Sequence, residues 1–115
     1  MKLIQISDEH KVAIKSNKGI RFLLLDEIVY VMAIDNYSKV VLAFNEEFLV
    51  PRTLKIVEKQ LLPFTFIRCH KSFLVNVCYI KEMCCNNENK LILSTNKEVP
   101  VSREGLKKIK EAMGL

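Results

Sequence analysis

The chain has 115 residues, half of them hydrophobic, which argues for a single domain, residues 1–115, able to bury its own core. Eighteen Lys and Arg against 13 Asp and Glu leave a net charge of +5, which favours an anionic partner, nucleic acid or an acidic membrane surface. No apolar run approaches the ~20 residues of a membrane helix, and the start "MKLIQISDEH" turns polar too early for a signal peptide. The expectation is a cytoplasmic protein that does not span a membrane and whose four cysteines are reduced thiols.

Most of the chain reads as short strands. "KVAIKS", from Lys11, alternates apolar and polar residues as a half-buried strand does, and "NKG" follows as a turn. "IRFLLL" leads through Asp26 and Glu27 into the β-branched and aromatic run "IVYVMAI". "DNYSK" reads as a polar loop tip, "VVLAF" as renewed extended chain, and "NEE" as a turn into "FLVPRT". Short connections of this kind suit an antiparallel meander. Pro51 has no N–H to give a ladder, so it marks a strand end or an edge.

The first helical signal comes next. Thr53 can cap, Leu54, Val57 and Leu61 recur at helical spacing, Arg52, Lys55 and Lys59 flank the other face, and Pro63 stops the helix. Strands resume as "TFIRCH", "CYIKEMC" and "KLILS", the last two joined by the turn-rich "CNNEN". A final strand, "KEVPVS", runs into a helix capped by Ser102. Its apolar stripe is Leu106, Ile109 and Met113, and its basic side Lys107, Lys108 and Lys110. The expected fold is all-β and mainly antiparallel with two short α-helices. It offers no long helix to lay in a DNA groove.

Catalysis finds little support. Cys69 and His70 are adjacent, and neighbours on a strand point to opposite faces, which keeps thiol and imidazole apart. There is no G-x-S-x-G elbow, phosphate-cradling glycine loop or paired-carboxylate motif, so no enzyme is expected. Cys69, His70, Cys78, Cys84 and Cys85 include no C-x-x-C pair, and no metal or cofactor is expected. Cys69 is a candidate redox-sensitive thiol, because Arg68, His70 and Lys71 beside it can lower its pKa; a buried, inert thiol is the plainer alternative.

Nucleic-acid binding has more behind it. Asn36, Tyr37, Ser38 and Lys39 suit phosphates and base edges, and "RCHKS" gathers Arg68, His70, Lys71 and Ser72 within five residues. "VSRE" opens the last helix with Ser102 and Arg103, where free N–H groups and the dipole suit phosphate. Arg52 and Lys107 extend the basic set. A solvated set of surface charges is the bland alternative.

The segment "FIRCHKSFLVNVCYI" resembles the signature of the LytTR DNA-binding domain family, an Arg-x-His-basic-Ser/Asn core followed by an apolar run, an asparagine and an isoleucine. Here those positions are Arg68, His70, Lys71, Ser72, then Phe73 to Val75, Asn76 and Ile80. "LLLDEIVYVMAIDNYSKV", "RTLKIVEKQL" and "VPVSREGLKKIKE" resemble three further parts of the family in the same order, so the resemblance runs from about Lys11 to Leu115. It implies a bacterial cytosolic regulator with an elongated fold of several small sheets. Such a regulator would bind double-stranded DNA through loops entering successive major grooves, at Asn36 to Lys39, His70 to Ser72 and Ser102 to Glu104. It also implies repeated half-sites, with a weak homodimer forming on DNA rather than in solution.

Two positions depart from the pattern. Met32 stands where the family often has an acid, and Glu104 where it often has a second basic residue. Glu104 suits the start of a helix but not a phosphate. The typical member also carries a receiver domain upstream; the start of this sequence leads to the expectation of a stand-alone regulator. The competing expectation is a protein-interaction module of the same fold that pairs with or titrates another regulator.

Overall fold

The computed structural model describes residues 11–61, 64–84 and 89–115. Strands β1 (Lys11–Ser16) and β2 (Gly19–Leu24) pair as a hairpin across the Asn17–Lys18 turn. A single 3-10 turn, Leu25–Glu27, follows at the acidic pair that interrupts the apolar run. The Glu27 carboxylate accepts the N–H of Leu24, so the start of the turn is fastened by its own side chain.

Strands β3 (Ile28–Ile34), β4 (Tyr37–Leu42) and β5 (Glu47–Val50) come next, then helix α1 (Leu54–Leu61). The chain returns as β6 (Phe66–His70) and β7 (Phe73–Asn76). These five strands form one antiparallel sheet in the order β5-β4-β3-β7-β6. A 3-10 turn at Val77–Tyr79 leads to the second meander, β8 (Ile80–Cys84), β9 (Lys90–Leu93) and β10 (Glu98–Pro100), and helix α2 (Arg103–Ala112) closes the chain. The molecule measures 47 × 35 × 24 Å, consistent with the expected elongated, mainly antiparallel fold of small sheets with two helices.

The density of apolar residues in "IVYVMAI" has a direct cause: the central sheet is covered on both faces. Ile28 and Val31 of β3 face a core shared with Ile14 and Leu23 of the hairpin and with Leu54, Val57 and Leu61 of α1. Val29 and Tyr30 face the opposite core, with Leu91 and Leu93 of β9, Val99 and Val101, and Ile109 of α2. A strand in the middle of such a sandwich has no solvent face and needs no polar alternation.

Asn76 is 2% exposed and makes the connection out of the sheet specific. Its amide nitrogen donates to the carbonyl of Ile28, and its oxygen accepts from the N–H of Cys78 and the hydroxyl of Thr65. Tyr79 extends the tie by donating its hydroxyl to the carbonyl of Asp26.

The expected α1 is found where the Leu54, Val57 and Leu61 spacing puts it. The "CYIKEMC" strand is shorter than expected, because Asn76 caps a 3-10 turn at Val77–Tyr79 and strand pairing begins at Ile80. The start "MKLIQISDEH", the stop at Pro63 and the turn at Cys85 lie outside the described residues.

Candidate functional site

Strand pairing alone brings separate polar segments to one edge of the central sheet. The β3–β4 turn is Asp35–Asn36, since Ile34 pairs with Tyr37. The β6–β7 turn is Lys71–Ser72, since His70 pairs with Phe73. Met32 pairs with Phe73 and the N–H of Ala33 donates to the carbonyl of Ser72 at 2.8 Å, so both turns project from the same end of the sheet. On one side, β5 delivers Arg52 to this end, where its carbonyl accepts from the Ser38 hydroxyl at 2.9 Å. On the other, the N–H of Ser102 donates to the carbonyl of Cys69 at 2.9 Å and fixes the start of α2 beside β6.

The edge therefore reads, across the sheet, Arg52, then Asn36 and Tyr37, then Lys71 and Ser72, then Ser102 and Arg103. Asn36, Arg52, Lys71 and Arg103 are exposed, and Tyr37 is 42% exposed. Lys107 is exposed one turn along α2 from Arg103, on the same face by its four-residue spacing.

Asp35 has φ 53°, a left-handed conformation that Asp and Asn tolerate better than most residues, and this lets the β3–β4 connection close in two residues. The tip is consequently tighter than "DNYSK" suggests. Ser38 is fully buried within β4 and spends its hydroxyl on Arg52. Lys39 lies farther down the strand and is half-buried, its ammonium 3.4 Å from the Glu47 carboxylate. Of the expected tip residues, Asn36 and Tyr37 are therefore exposed, Ser38 is buried against Arg52, and Lys39 has an acidic neighbour.

At the β6–β7 turn the His70 ring packs edge-on against Phe73, and its Nδ1 accepts from the N–H of Ser72 at 3.1 Å. A neutral ring bonded in this way carries its proton on Nε2, which leaves that nitrogen as the donor. Arg68, expected as a contact, makes three bonds within the protein. It donates Nη1 to Glu58 at 2.6 Å, Nη2 to the carbonyl of Lys71 at 2.6 Å and Nε to the carbonyl of His70 at 3.1 Å.

The α2 start has a side-chain cap, with the Ser102 hydroxyl accepting from the N–H of Gly105 at 3.0 Å. Glu104 occupies the first turn of the helix, as its sequence position implies, and a carboxylate there is favourable to the dipole. Between β6 and α2 lies a recess of about 300 Å³ lined by Arg68, His70, Lys71, Ser102, Glu104, Gly105 and Lys108.

Cys69 is 0% exposed, and its thiol faces the carbonyls of Phe73 and Pro100. Burial pushes its pKa up to about 12, outweighing the opposing pull of Arg68. Of the two expectations for Cys69, burial favours the plainer one, a buried thiol: desolvation exceeds the attraction of the neighbouring guanidinium.

Three residues beside the site were not among the expected contacts: Glu58 and Gly105, and Lys108, expected only on the basic side of the last helix. Only Gly105 carries a usable signal, since a glycine inside a helical pattern marks a close approach or a cap. Among the described residues, no cluster of three or more His, Cys, Asp or Glu could hold a metal, and no helix is long and apolar enough to cross a membrane.

Comparison with known proteins identifies the family of the chain. The LytTr DNA-binding domain profile matches residues 18–114. The chain is 34% identical over 107 residues to the sensory transduction protein LytT of Bacillus subtilis, covering 91% of this chain and 44% of that protein. It is 30% identical over 119 residues to the transcriptional regulatory protein BtsR of Salmonella typhi, covering 97% and 48%. The chain thus spans less than half the length of these relatives. A solved LytTr DNA-binding domain from Bacillus cereus superposes with a TM-score of 0.75 at 26% identity, covering 92% of this chain and 98% of that one. The chain belongs to the LytTr DNA-binding domain family.

Proposed function

We propose that the chain is a sequence-specific regulator that binds double-stranded DNA through the edge carrying Arg52, Asn36, Tyr37, Lys71, Ser72 and Arg103. The observation that carries this reading is the convergence of four chain segments, distant in sequence, on one end of one sheet. Five strands at ~4.8 Å spacing put β5 and β6 roughly 19 Å apart, and a packed helix adds ~10 Å. An edge of about 30 Å compares with a duplex turn of ~34 Å, so its two ends suit successive major grooves on one face of the DNA.

Lys71 and Arg103 supply charge and forked donors for phosphates and guanine edges, His70 one donor, and Asn36 an amide that fits adenine. Glu104 limits the charge near α2 without reversing it, with Arg103 before it and Lys107 and Lys108 after it. The edge spans about one turn, so high specificity calls for two copies on repeated half-sites about a turn or a multiple of it apart, pairing on the DNA. Selection of bound duplexes from a random library is the test: a recovered, repeated motif supports the reading, and an unenriched pool contradicts it.

A second reading is favoured by the outer face of the β1–β2 hairpin, where Ile20 is 58% and Phe22 69% exposed. An apolar face of this kind suits a protein partner, as expected of a module that pairs with another regulator. An unenriched duplex pool together with co-purification of one regulator would favour it.

A further inference from the structure

We propose that Glu58 of α1 is a positioning residue for DNA recognition. It holds Arg68 as a clamp on the β6–β7 turn, so that an acidic residue strengthens the binding of an acidic ligand. The inference rests on the proposed DNA-binding role of that turn.

The clamp is built from three contacts of one guanidinium. Nη1 meets the Glu58 carboxylate, while Nη2 and Nε take the consecutive carbonyls of Lys71 and His70. These acceptors lie on two elements, α1 and the end of β6, that also share the core around Phe66, Val57 and Leu61. The planar fork of arginine fixes the carbonyl directions together, and so the two peptide planes that aim the His70 and Lys71 side chains. Two further bonds complete the turn: Nδ1 of His70 accepts from the Ser72 N–H, and the Ser72 carbonyl accepts from the Ala33 N–H. The pairing register shifts between Arg68 and His70, so the ladder alone leaves this corner under-determined.

The side chains of Arg68 and Glu58 are 25% and 19% exposed, which shields the pair from solvent more than a surface ion pair. Its charge is balanced by Glu58 and three of its five N–H donors are engaged, so in this reading Arg68 shapes the contact surface rather than neutralising a phosphate.

This reading and simple electrostatics predict opposite signs. Removing a carboxylate from a DNA-binding protein raises its net positive charge, and long-range attraction alone would tighten binding. The clamp predicts that Glu58→Ala weakens binding by about tenfold, the scale of one charge-assisted hydrogen bond. Glu58→Gln keeps an acceptor oxygen and falls between Glu58→Ala and wild type, although both variants lose the same charge. Arg68→Lys keeps the charge but loses the fork, and weakens binding nearly as much as Arg68→Ala. All four leave the salt slope at its wild-type value, whereas Lys71→Ala lowers it by about 0.9.

The experiment is titration of a library-selected duplex with wild type and these variants at several salt concentrations, with amide hydrogen exchange at Lys71 and Ser72 in the DNA-free proteins. Faster exchange and weaker binding in Glu58→Ala, with an unchanged slope, are the expected results. Binding by Glu58→Ala as tight as wild type or tighter, or unchanged exchange at the turn, overturns the clamp. A wild type that binds no duplex sinks the proposed function and takes the positioning role with it.

Discussion

A side-chain carbon on Gly105 would stand 2.0 Å from the carbonyl oxygen of Cys69. The contact is with backbone, which cannot swing aside as a flexible side chain can. Glycine is what allows the first turn of α2 to lie directly on β6, with Ser102 and Arg103 beside the Lys71 turn. Gly105→Ala must push helix and strand apart, and overpacking of this kind costs ~1–3 kcal/mol or more. Thermal unfolding should show a lowered Tm, and duplex affinity should fall as Arg103 moves off the edge. An unchanged Tm would mean that the helix start is not held where the contact puts it.

Contact residues and core residues should separate cleanly. Lys71→Ala and Arg103→Ala should each weaken binding to the selected duplex by roughly 1–3 kcal/mol and relax its sequence preference, without lowering Tm. Lys55→Ala, on the exposed side of α1, should do less. Leu74 is 0% exposed, and Leu74→Ala should instead destabilise the fold by ~2–5 kcal/mol through the cavity it leaves. Parallel melts and titrations give both quantities; normal binding by Lys71→Ala would remove the β6–β7 turn from the interface.

Cys69 should be inert. Its thiol is buried with a pKa near 12, so hardly any thiolate forms at neutral pH, while Cys78 is exposed. Brief alkylation of the native protein, read by peptide mass spectrometry, should label Cys78 and spare Cys69. Mild peroxide should leave duplex binding intact in wild type and Cys69→Ser alike. The same shift sets a pH dependence. Above the ordinary thiol value of 9.0 the unfolded chain releases its proton first, so stability present below pH 9 falls as pH rises toward about 12.

Most strands and both helices were legible because apolar spacing reports which face is buried, as Leu54, Val57 and Leu61 do in α1. Strand β7 (Phe73–Asn76) and its place beside β3 were not, since a short apolar run after a polar turn does not say what it pairs with. Lys71 and Arg103 read as surface cations from their local sequence and are exposed, whereas the strand pairing that brings them to one edge was not legible. Nor was Ser38. A serine between Tyr37 and Lys39 reads as surface, and only the pairing of β4 with β5, twelve residues on, makes it a buried support for Arg52. The ion pair of Arg68 was hidden for a related reason, since its partner Glu58 lies on another element and a charge run does not reveal which members are already paired. Cys69 shows the limit of counting neighbouring charges: proximity in sequence was correct, and burial outweighed it.

Asn76 should prove a folding determinant with no part in DNA contact. Asn76→Ala strands the Ile28 carbonyl and the Cys78 N–H, and an unsatisfied buried polar group costs about 1–3 kcal/mol. Chemical denaturation should show that loss, while affinity measured well below the variant's Tm stays near wild type. A variant as stable as wild type would show that the connection is held by other bonds.

Salt dependence is the sharpest test of duplex binding by the edge carrying Arg52, Asn36, Lys71 and Arg103. Fluorescence anisotropy titrations of the selected duplex and a scrambled one, from low to moderate salt, give both slope and specificity. The expected result is a steep logarithmic decline of ~0.9 per neutralised phosphate, with the selected duplex bound more tightly throughout. Affinity that stays flat with salt, or is equal for the two duplexes, would contradict it.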